Sequence, residues 1–236
     1  MKNAELNSFA TDRELADAVA TAWLDEIGGT VPHCVALSGG RIARTLFSCV
    51  AAQPRARQGL LNLAHFFWGD ERCVPPDDVE SNFRVARELL FAPLDIAEGN
   101  IHRIRGGESV GFAVAEAEAE LCRIATLSAD GQPVLDLIFL GLGEDGHVAS
   151  LFPGEPETVM SSRTVYRPVT ATKPPPRRIT LGYATIAAAK QVWVLASGLG
   201  KEAALRESLS PVGRTPLARV LCSRQNTKIF TDVRLS

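Results

Sequence analysis

Short apolar runs that end at glycine-containing breaks recur along this chain and alternate with helical patterns. The runs are HCVAL at 33–37, LAHFFW at 63–68, the nearly all-apolar run at 134–141 and QVWVLAS at 191–197. Segments with helical spacing of apolar residues lie at about 12–27, 41–52 and 107–126. A strand with no polar face suits a parallel sheet that helices cover on both sides. The alternation therefore predicts an α/β fold, a parallel sheet with helices on both faces, with room for a small subsidiary lobe.

Length and composition fit one globular domain spanning residues 1–236. The chain is 46% hydrophobic, and its net charge of −2 creates no broad field that would attract nucleic acid or an anionic membrane. No apolar run approaches the roughly 18 residues of a membrane span, and residues 1–15 lack the apolar segment of a secretory signal. The five cysteines are widely spaced, which argues against a disulfide framework and a zinc site. We expect a cytoplasmic protein.

The first candidate site is Ser38-Gly39-Gly40, between a predicted strand and a predicted helix. Adjacent glycines let the backbone approach a ligand, and the free N–H groups of the following helix bind phosphate or carboxylate. Arg41 stands at the start of that helix and adds positive charge. The alternative is that the turn needs its glycines for steric reasons alone.

The second candidate is GDER at 69–72, directly after another apolar run. The guanidinium of Arg72 could bind a carboxylate or stabilise an oxyanion at the end of that strand. The alternative is a surface ion pair among Asp70, Glu71 and Arg72.

The third candidate is the segment that follows the run at 134–141. Its glycines at 141, 143 and 146 match the G-x-G-x-x-G pattern of dinucleotide-binding proteins. That pattern needs a long helix afterwards, however, and Pro153 and Gly154 stop any helix after about two turns. His147 is the more informative residue, because a nearby carboxylate, from Glu144 or Asp145, could orient its ring for general-base catalysis. The alternative is a structural histidine that binds only backbone.

The fourth candidate is KPPPRR at 173–178. Three prolines stiffen this loop and limit where Lys173, Arg177 and Arg178 can reach. In a chain of nearly neutral charge, the cluster predicts an anion pocket, with a solvated basic loop or a docking patch as alternatives.

Together, these four segments resemble the 6-phosphogluconolactonase family. SGG, GDER with Ser81-Asn82 after it, GLGEDGHVASLFPG and KPPPRRIT occur in the family's order across residues 38–180. The related glucosamine-6-phosphate deaminases share the Gly-Asp-Gly-His core, but they usually carry Asp-Glu-Tyr where this chain has Asp70-Glu71-Arg72. SLFPG and GDER therefore favour the lactonases.

The resemblance implies a modified Rossmann-type fold and the hydrolysis of 6-phospho-D-glucono-1,5-lactone in the pentose phosphate pathway, without metal or cofactor. It assigns His147 as the base that activates water, Arg72 as the stabiliser of the oxyanion and Asp145 as the residue that orients His147. The residues that it implies for binding phosphate and sugar are Gly39, Gly40, Lys173 and Arg178. The expected partner is the small sugar-phosphate lactone, and the expected assembly is a monomer or homodimer that binds neither nucleic acid nor membrane.

One departure from the family pattern lies beside the first candidate site. The family usually continues SGG with Ser/Thr-Thr-Pro, whereas this chain has Arg41-Ile42-Ala43. Arg41 could replace the lost hydroxyls as an anion ligand, or its bulk could block the pocket. Two other functions therefore stay open: a deaminase of amino-sugar phosphates, and a sugar-phosphate binding protein without catalytic activity.

Overall fold

The fold is organised around a six-stranded sheet in which all paired strands are parallel. The computed structural model describes residues 4–27, 33–225 and 227–235. Its strands are β1 (Ala4–Ser8), β2 (His33–Leu37), β3 (Ala64–Trp68), β4 (Asp70–Arg72), β5 (Thr126–Leu127), β6 (Pro133–Val134), β7 (Leu137–Gly141), β8 (Tyr166–Thr170), β9 (Arg177–Leu181), β10 (Gln191–Ala196) and β11 (Thr227–Thr231). The large sheet has the order β1-β11-β10-β7-β2-β3. The predicted parallel sheet is confirmed.

Helices flank this sheet. They are α1 (Asp12–Glu26), α2 (Arg41–Ala52), α3 (Pro54–Arg57), α4 (Asn82–Ala86), α5 (Ala92–Leu94), α6 (Val110–Ile124), α7 (Glu157–Met160), α8 (Tyr183–Ala188), α9 (Glu202–Leu209) and α10 (Pro216–Cys222). A π-helical segment, Arg87–Phe91, joins α4 to α5. Trp23 of α1 packs edge-on against Phe139 of β7 at 5.0 Å, and Phe139 packs against Trp193 of β10 at 5.8 Å. These buried aromatic contacts attach α1 to the middle of the sheet. No described helix has the length and apolar character needed to cross a bilayer.

A second sheet is antiparallel and has the order β4-β9-β8. The segment RITLGY at 178–183 predicts β9 as a strand, but not that it leaves the parallel sheet, and β1, β4 and β8 are not predicted. Gly69 connects the two sheets, because its N–H donates to Leu37 O at 2.8 Å while its carbonyl accepts from Leu181 N at 2.8 Å. The GDER segment therefore begins at the junction of the sheets.

The predicted strand over 134–141 is in fact two strands. Residues 133–134 pair with β5 in a small antiparallel hairpin, and β7 begins only at Leu137. Asp136 interrupts the run because its carboxylate accepts a hydrogen bond from Cys34 N at 2.7 Å and pairs with Lys190 Nζ at 2.6 Å. A polar side chain with two such partners ends one strand and fixes the entry of the next.

Candidate active site

A cavity of about 330 Å³ lies between the carboxyl ends of the parallel strands and the antiparallel sheet. The segments after β2, β7 and β10 contribute to it, as do β4 and β9. Ser38 connects the end of β2 to the end of β7, because its hydroxyl accepts a hydrogen bond from Gly141 N at 3.2 Å. This edge is the usual ligand site of an open α/β sheet.

His147 lies in this cavity with one ring nitrogen already engaged. Its Nδ1 is 2.6 Å from Asp145 Oδ1, and its backbone N–H donates to the same oxygen at 3.1 Å. An ionised carboxylate only accepts hydrogen bonds, so the proton of the neutral ring belongs on Nδ1 and Nε2 keeps a lone pair. Burial opposes the ionisation of Asp145, but the hydrogen bonds from His147 outweigh it and hold the Asp145 pKa below its usual value. The contact with Asp145 therefore leaves Nε2 of His147 available to accept a proton.

The glycine at 143 is explained by His147 and not by a nucleotide. A Cβ built on Gly143 would lie 2.0 Å from His147 Nδ1, so any other residue would displace the ring. Phe152 packs on the histidine with ring centroids 5.1 Å apart. Two glycines of the G-x-G-x-x-G match therefore serve local packing: Gly143 leaves space for His147, and Gly146, at a φ of +82°, leaves space for Thr215.

Arg72 and Arg178 face each other across the β4–β9 pair, which places two positive charges at one wall of the cavity. Arg72 Nη1 donates to Glu80 O at 2.6 Å, while its buried Nε has no hydrogen-bond partner in the described chain. Arg178 donates to the carbonyls of Pro175 and Lys173 at 3.1 and 3.3 Å. Burial, and then the charge of Arg72, lowers the pKa of Arg178. Like charges directly opposite each other are unfavourable, and an anion between them would relieve this repulsion.

Glu71, although buried, holds the start of α4 against β4. Its carboxylate accepts hydrogen bonds from the backbone N–H groups of Arg72, Asn82 and Phe83 and from the hydroxyl of Ser81, at 2.7 to 3.1 Å. Asn82, fixed in this way, lines the cavity and donates from Nδ2 to Asp70 O at 2.9 Å.

The turn at Gly39 leaves no room for a side chain. A Cβ there would lie 1.9 Å from Asn82 Oδ1, so the close approach of Asn82 requires a glycine. The SGG turn and the segment at 81–82 are thus parts of one packed unit.

The mouth of the cavity carries Arg41, the first residue of α2. Its Nη1 is 3.6 Å from Asp12 Oδ2, and its Nη2 donates to Ser197 O at 3.4 Å. Arg41 also packs against Gly198 on the same rim, where a Cβ built on the glycine would lie 1.9 Å from Arg41 Nη2. The next residue, Leu199, is 99% exposed between Gly198 and Gly200, which have φ angles of +95° and +85°. Arg41 therefore lies along the rim without filling the cavity.

The structure brings most of the predicted residues together. Those that line the cavity are Gly39, Gly40, Arg41, Arg72, His147 and Arg178. Asp145 contacts His147, as described. Lys173 does not line the cavity; its carbonyl instead accepts from Arg178. The side chain of Arg178 occupies the space between this loop and the cavity.

Polar lining residues that were not predicted as binding residues include Asn82, Glu144, Ser197 and Lys201. Lys201 follows GLG after β10, which is the same strand-then-glycine signal that marks the other segments, so the sequence contained a clue to it. Asn82 belongs to the Ser81-Asn82 segment of the family resemblance, but no binding role was predicted for it. Within the described ranges, no group of three or more His, Cys, Asp or Glu side chains is arranged to hold a metal ion.

Comparison with known proteins gives consistent matches. Residues 8–230 match the family model described as glucosamine-6-phosphate isomerases/6-phosphogluconolactonase. The 6-phosphogluconolactonase of Mycobacterium tuberculosis is 38% identical over 205 residues, covering 84% of this chain and 81% of the relative. That of Aggregatibacter actinomycetemcomitans is 33% identical over 230 residues, covering 95% of each. The solved structure of the Trypanosoma brucei 6-phosphogluconolactonase aligns with a TM-score of 0.86 at 28% identity, covering 98% of this chain and 97% of that one.

Proposed function

Because this chain belongs to the glucosamine-6-phosphate isomerase/6-phosphogluconolactonase family, we propose that it is a lactone hydrolase that converts 6-phospho-D-glucono-1,5-lactone to 6-phosphogluconate. The observation that carries this proposal is the His147–Asp145 pair in a cavity with two facing guanidinium groups. Curated relatives that match most of the chain are named 6-phosphogluconolactonases. The reaction belongs to the oxidative branch of the pentose phosphate pathway.

We propose His147 as the general base. Its Nε2 accepts a proton from water as the water oxygen attacks the lactone carbonyl carbon, and the carbonyl becomes a tetrahedral oxyanion. The bond between that carbon and the ring oxygen then breaks, and the imidazolium returns the proton to the leaving oxygen, which becomes a hydroxyl group. Asp145 favours this cycle because its carboxylate stabilises the protonated ring.

We assign the oxyanion to Arg72, whose positively charged side chain lines the cavity together with His147. Arg178, Arg41, Lys201 and the backbone at Gly39 and Gly40 are the proposed phosphate and sugar ligands, since all line the same cavity. A held phosphate fixes the lactone carbonyl near the base, which contributes to the rate through orientation. Lys173 contributes only its backbone in this assignment.

We also propose a cytoplasmic location and a small-molecule substrate as the only required partner. All five cysteines are free, and two of them, Cys34 and Cys49, are buried among core side chains. Burial raises the pKa of both thiols to about 12, which keeps them protonated and unreactive.

His147→Ala tests the proposed base. We expect a 10²- to 10⁴-fold fall in kcat for lactone hydrolysis, roughly the contribution of general-base catalysis. The rate is measured by coupling 6-phosphogluconate formation to its dehydrogenase, with spontaneous hydrolysis subtracted. His65→Gln, which changes a histidine outside the cavity, is the matched control and should keep the parent rate.

Two results would contradict the proposal at different points. Parent-like hydrolysis by a folded His147→Ala variant would remove His147 as the base. Ammonia release from glucosamine 6-phosphate by the parent, with no lactone hydrolysis, would assign the protein to the deaminases.

A further inference from the structure

A second groove, of about 500 Å³, lies on the other side of α4 from the lactonase cavity. The π-helical segment Arg87–Phe91 forms one wall, and α6 forms the opposite part of the lining. Its apolar floor includes Phe83, Phe91 and Ile96. The volume is within the range of small-molecule sites, and π-helical segments are rare and frequently occur where a protein binds or reacts. None of the residues assigned to lactone hydrolysis lines this groove.

Two arginines in the groove lack the acidic partners that arginines normally have. Arg87 and Arg103 each place their guanidinium over the Phe83 ring, with Cζ 5.7 and 5.5 Å from its centroid. Within the described ranges neither guanidinium makes a hydrogen bond or a salt bridge, in contrast to that of Arg84 in α4, which pairs with Glu88 at 2.7 Å. Two cations that converge on one aromatic ring favour an anion beside that ring.

Carboxylates in the groove can also accept hydrogen bonds from a ligand. Glu116 Oε1 pairs with Arg105 at 2.7 Å. Asp95 and Glu98 line the groove as well, and within the described ranges their side chains make no hydrogen bond or salt bridge. An ionised carboxylate only accepts hydrogen bonds, so these two side chains suit a ligand N–H group.

The geometry points to a second binding site, for a small ligand with a planar aromatic body, an anionic group and an N–H donor. The anion would bind Arg87 and Arg103, the planar body would lie on the apolar floor, and the donor would reach Asp95 or Glu98. A purine mononucleotide has all three features and a suitable size. Adenosine 5′-monophosphate is therefore the probe.

The test is a calorimetric titration of the full chain with adenosine 5′-monophosphate, with and without saturating 6-phosphogluconate. We expect one saturable site in both conditions, and weaker binding of adenosine and of inorganic phosphate, each of which lacks part of the ligand. Arg87→Ala and Arg103→Ala should each lower the affinity about tenfold, the loss typical of one charge-assisted contact. Arg84→Ala is the matched control, with unchanged affinity. Lactone hydrolysis should be the same in all three variants.

Several outcomes would overturn the second site. The first is that adenosine 5′-monophosphate shows no saturable binding up to about 5 mM. Displacement of the nucleotide by 6-phosphogluconate would show that the nucleotide binds in the lactonase cavity instead. Equal loss of affinity in Arg84→Ala would indicate nonspecific attraction. A dimer in sedimentation velocity that dissociates in Arg87→Ala would make the groove an interface between copies of the chain. None of these results depends on which residue is the base for lactone hydrolysis.

Discussion

Asp145 and His147 form the contact on which the proposed chemistry depends. The carboxylate accepts from both the ring and the backbone of the histidine, so it fixes the position and the tautomer of the ring together. Gly143 is the third member of this unit, because only a glycine leaves space for the imidazole. Asp145 and the lack of a side chain at Gly143 therefore fix the position of the reacting nitrogen, Nε2 of His147.

Two replacements of Asp145 should distinguish its role in orienting the His147 ring from the effect of its negative charge. We expect Asp145→Ala to lower kcat by about 10²-fold, since the ring loses the acceptor that holds the proton on Nδ1. Asp145→Asn keeps an oxygen acceptor without the charge, and should retain more activity than the alanine variant. KM should change little in both, because neither touches the phosphate ligands. Steady-state kinetics with spontaneous hydrolysis subtracted measures both constants, and a rise in KM with kcat unchanged would make Asp145 a binding residue.

Single residues differ in how well the sequence predicted them. His147, Arg72 and Gly39 follow apolar strands directly, and a strand end in a parallel sheet can lie only at one edge. Lys173 does not line the cavity, because the position of a loop side chain depends on tertiary contacts that the sequence does not reveal. Here Arg178 donates to the loop carbonyls. The role of Asn82 depends on Glu71, which is distant from it in sequence but adjacent in space.

At the scale of elements, the antiparallel sheet supplies the wall of the site that carries the two arginines. Its strands β4 and β9 carry Arg72 and Arg178, and Gly69 joins this sheet to the parallel one. Alternation of strands and helices predicted the parallel sheet, because buried strands have a distinct apolar pattern. It could not predict β4, which is short and charged, or β1, an edge strand whose residues AELNS are largely exposed.

Glu71 is the element-scale test, since it attaches α4 to β4. In Glu71→Gln, one oxygen becomes an amide NH₂ and two of the four donors lose their acceptor. We expect the free energy of unfolding to fall by about 1–3 kcal/mol, and kcat/KM to fall as Asn82 shifts. Urea denaturation and kinetics measure these effects. Glu88→Gln, which breaks only an exposed pair, should cost less than about 0.5 kcal/mol. Equal stability of the two variants would contradict the role of Glu71.

At the scale of the whole molecule, one apolar core continues from the parallel sheet beneath the antiparallel one. Buried residues of β3, β7 and β10 belong to the same cluster as Ile179 and Leu181 of β9. We therefore propose that the chain behaves as one cooperative domain.

Thermal unfolding tests this unity. We expect a single transition, with far-UV and near-UV circular dichroism and loss of lactone hydrolysis at one temperature. Two transitions, with activity lost in the first, would make the antiparallel sheet a separate unit that opens before the parallel core.

The exposed leucine at the cavity mouth has a consequence for inhibitor chemistry. The floor and the arginine wall are fixed by buried contacts, but the rim at 198–200 consists of two glycines and a side chain that is almost wholly in water. A compound that resembles the substrate must therefore keep its phosphate and its carbonyl analogue unchanged. Bulk and apolar surface are best added on the side that faces Leu199, where they cover a side chain that otherwise contacts only solvent.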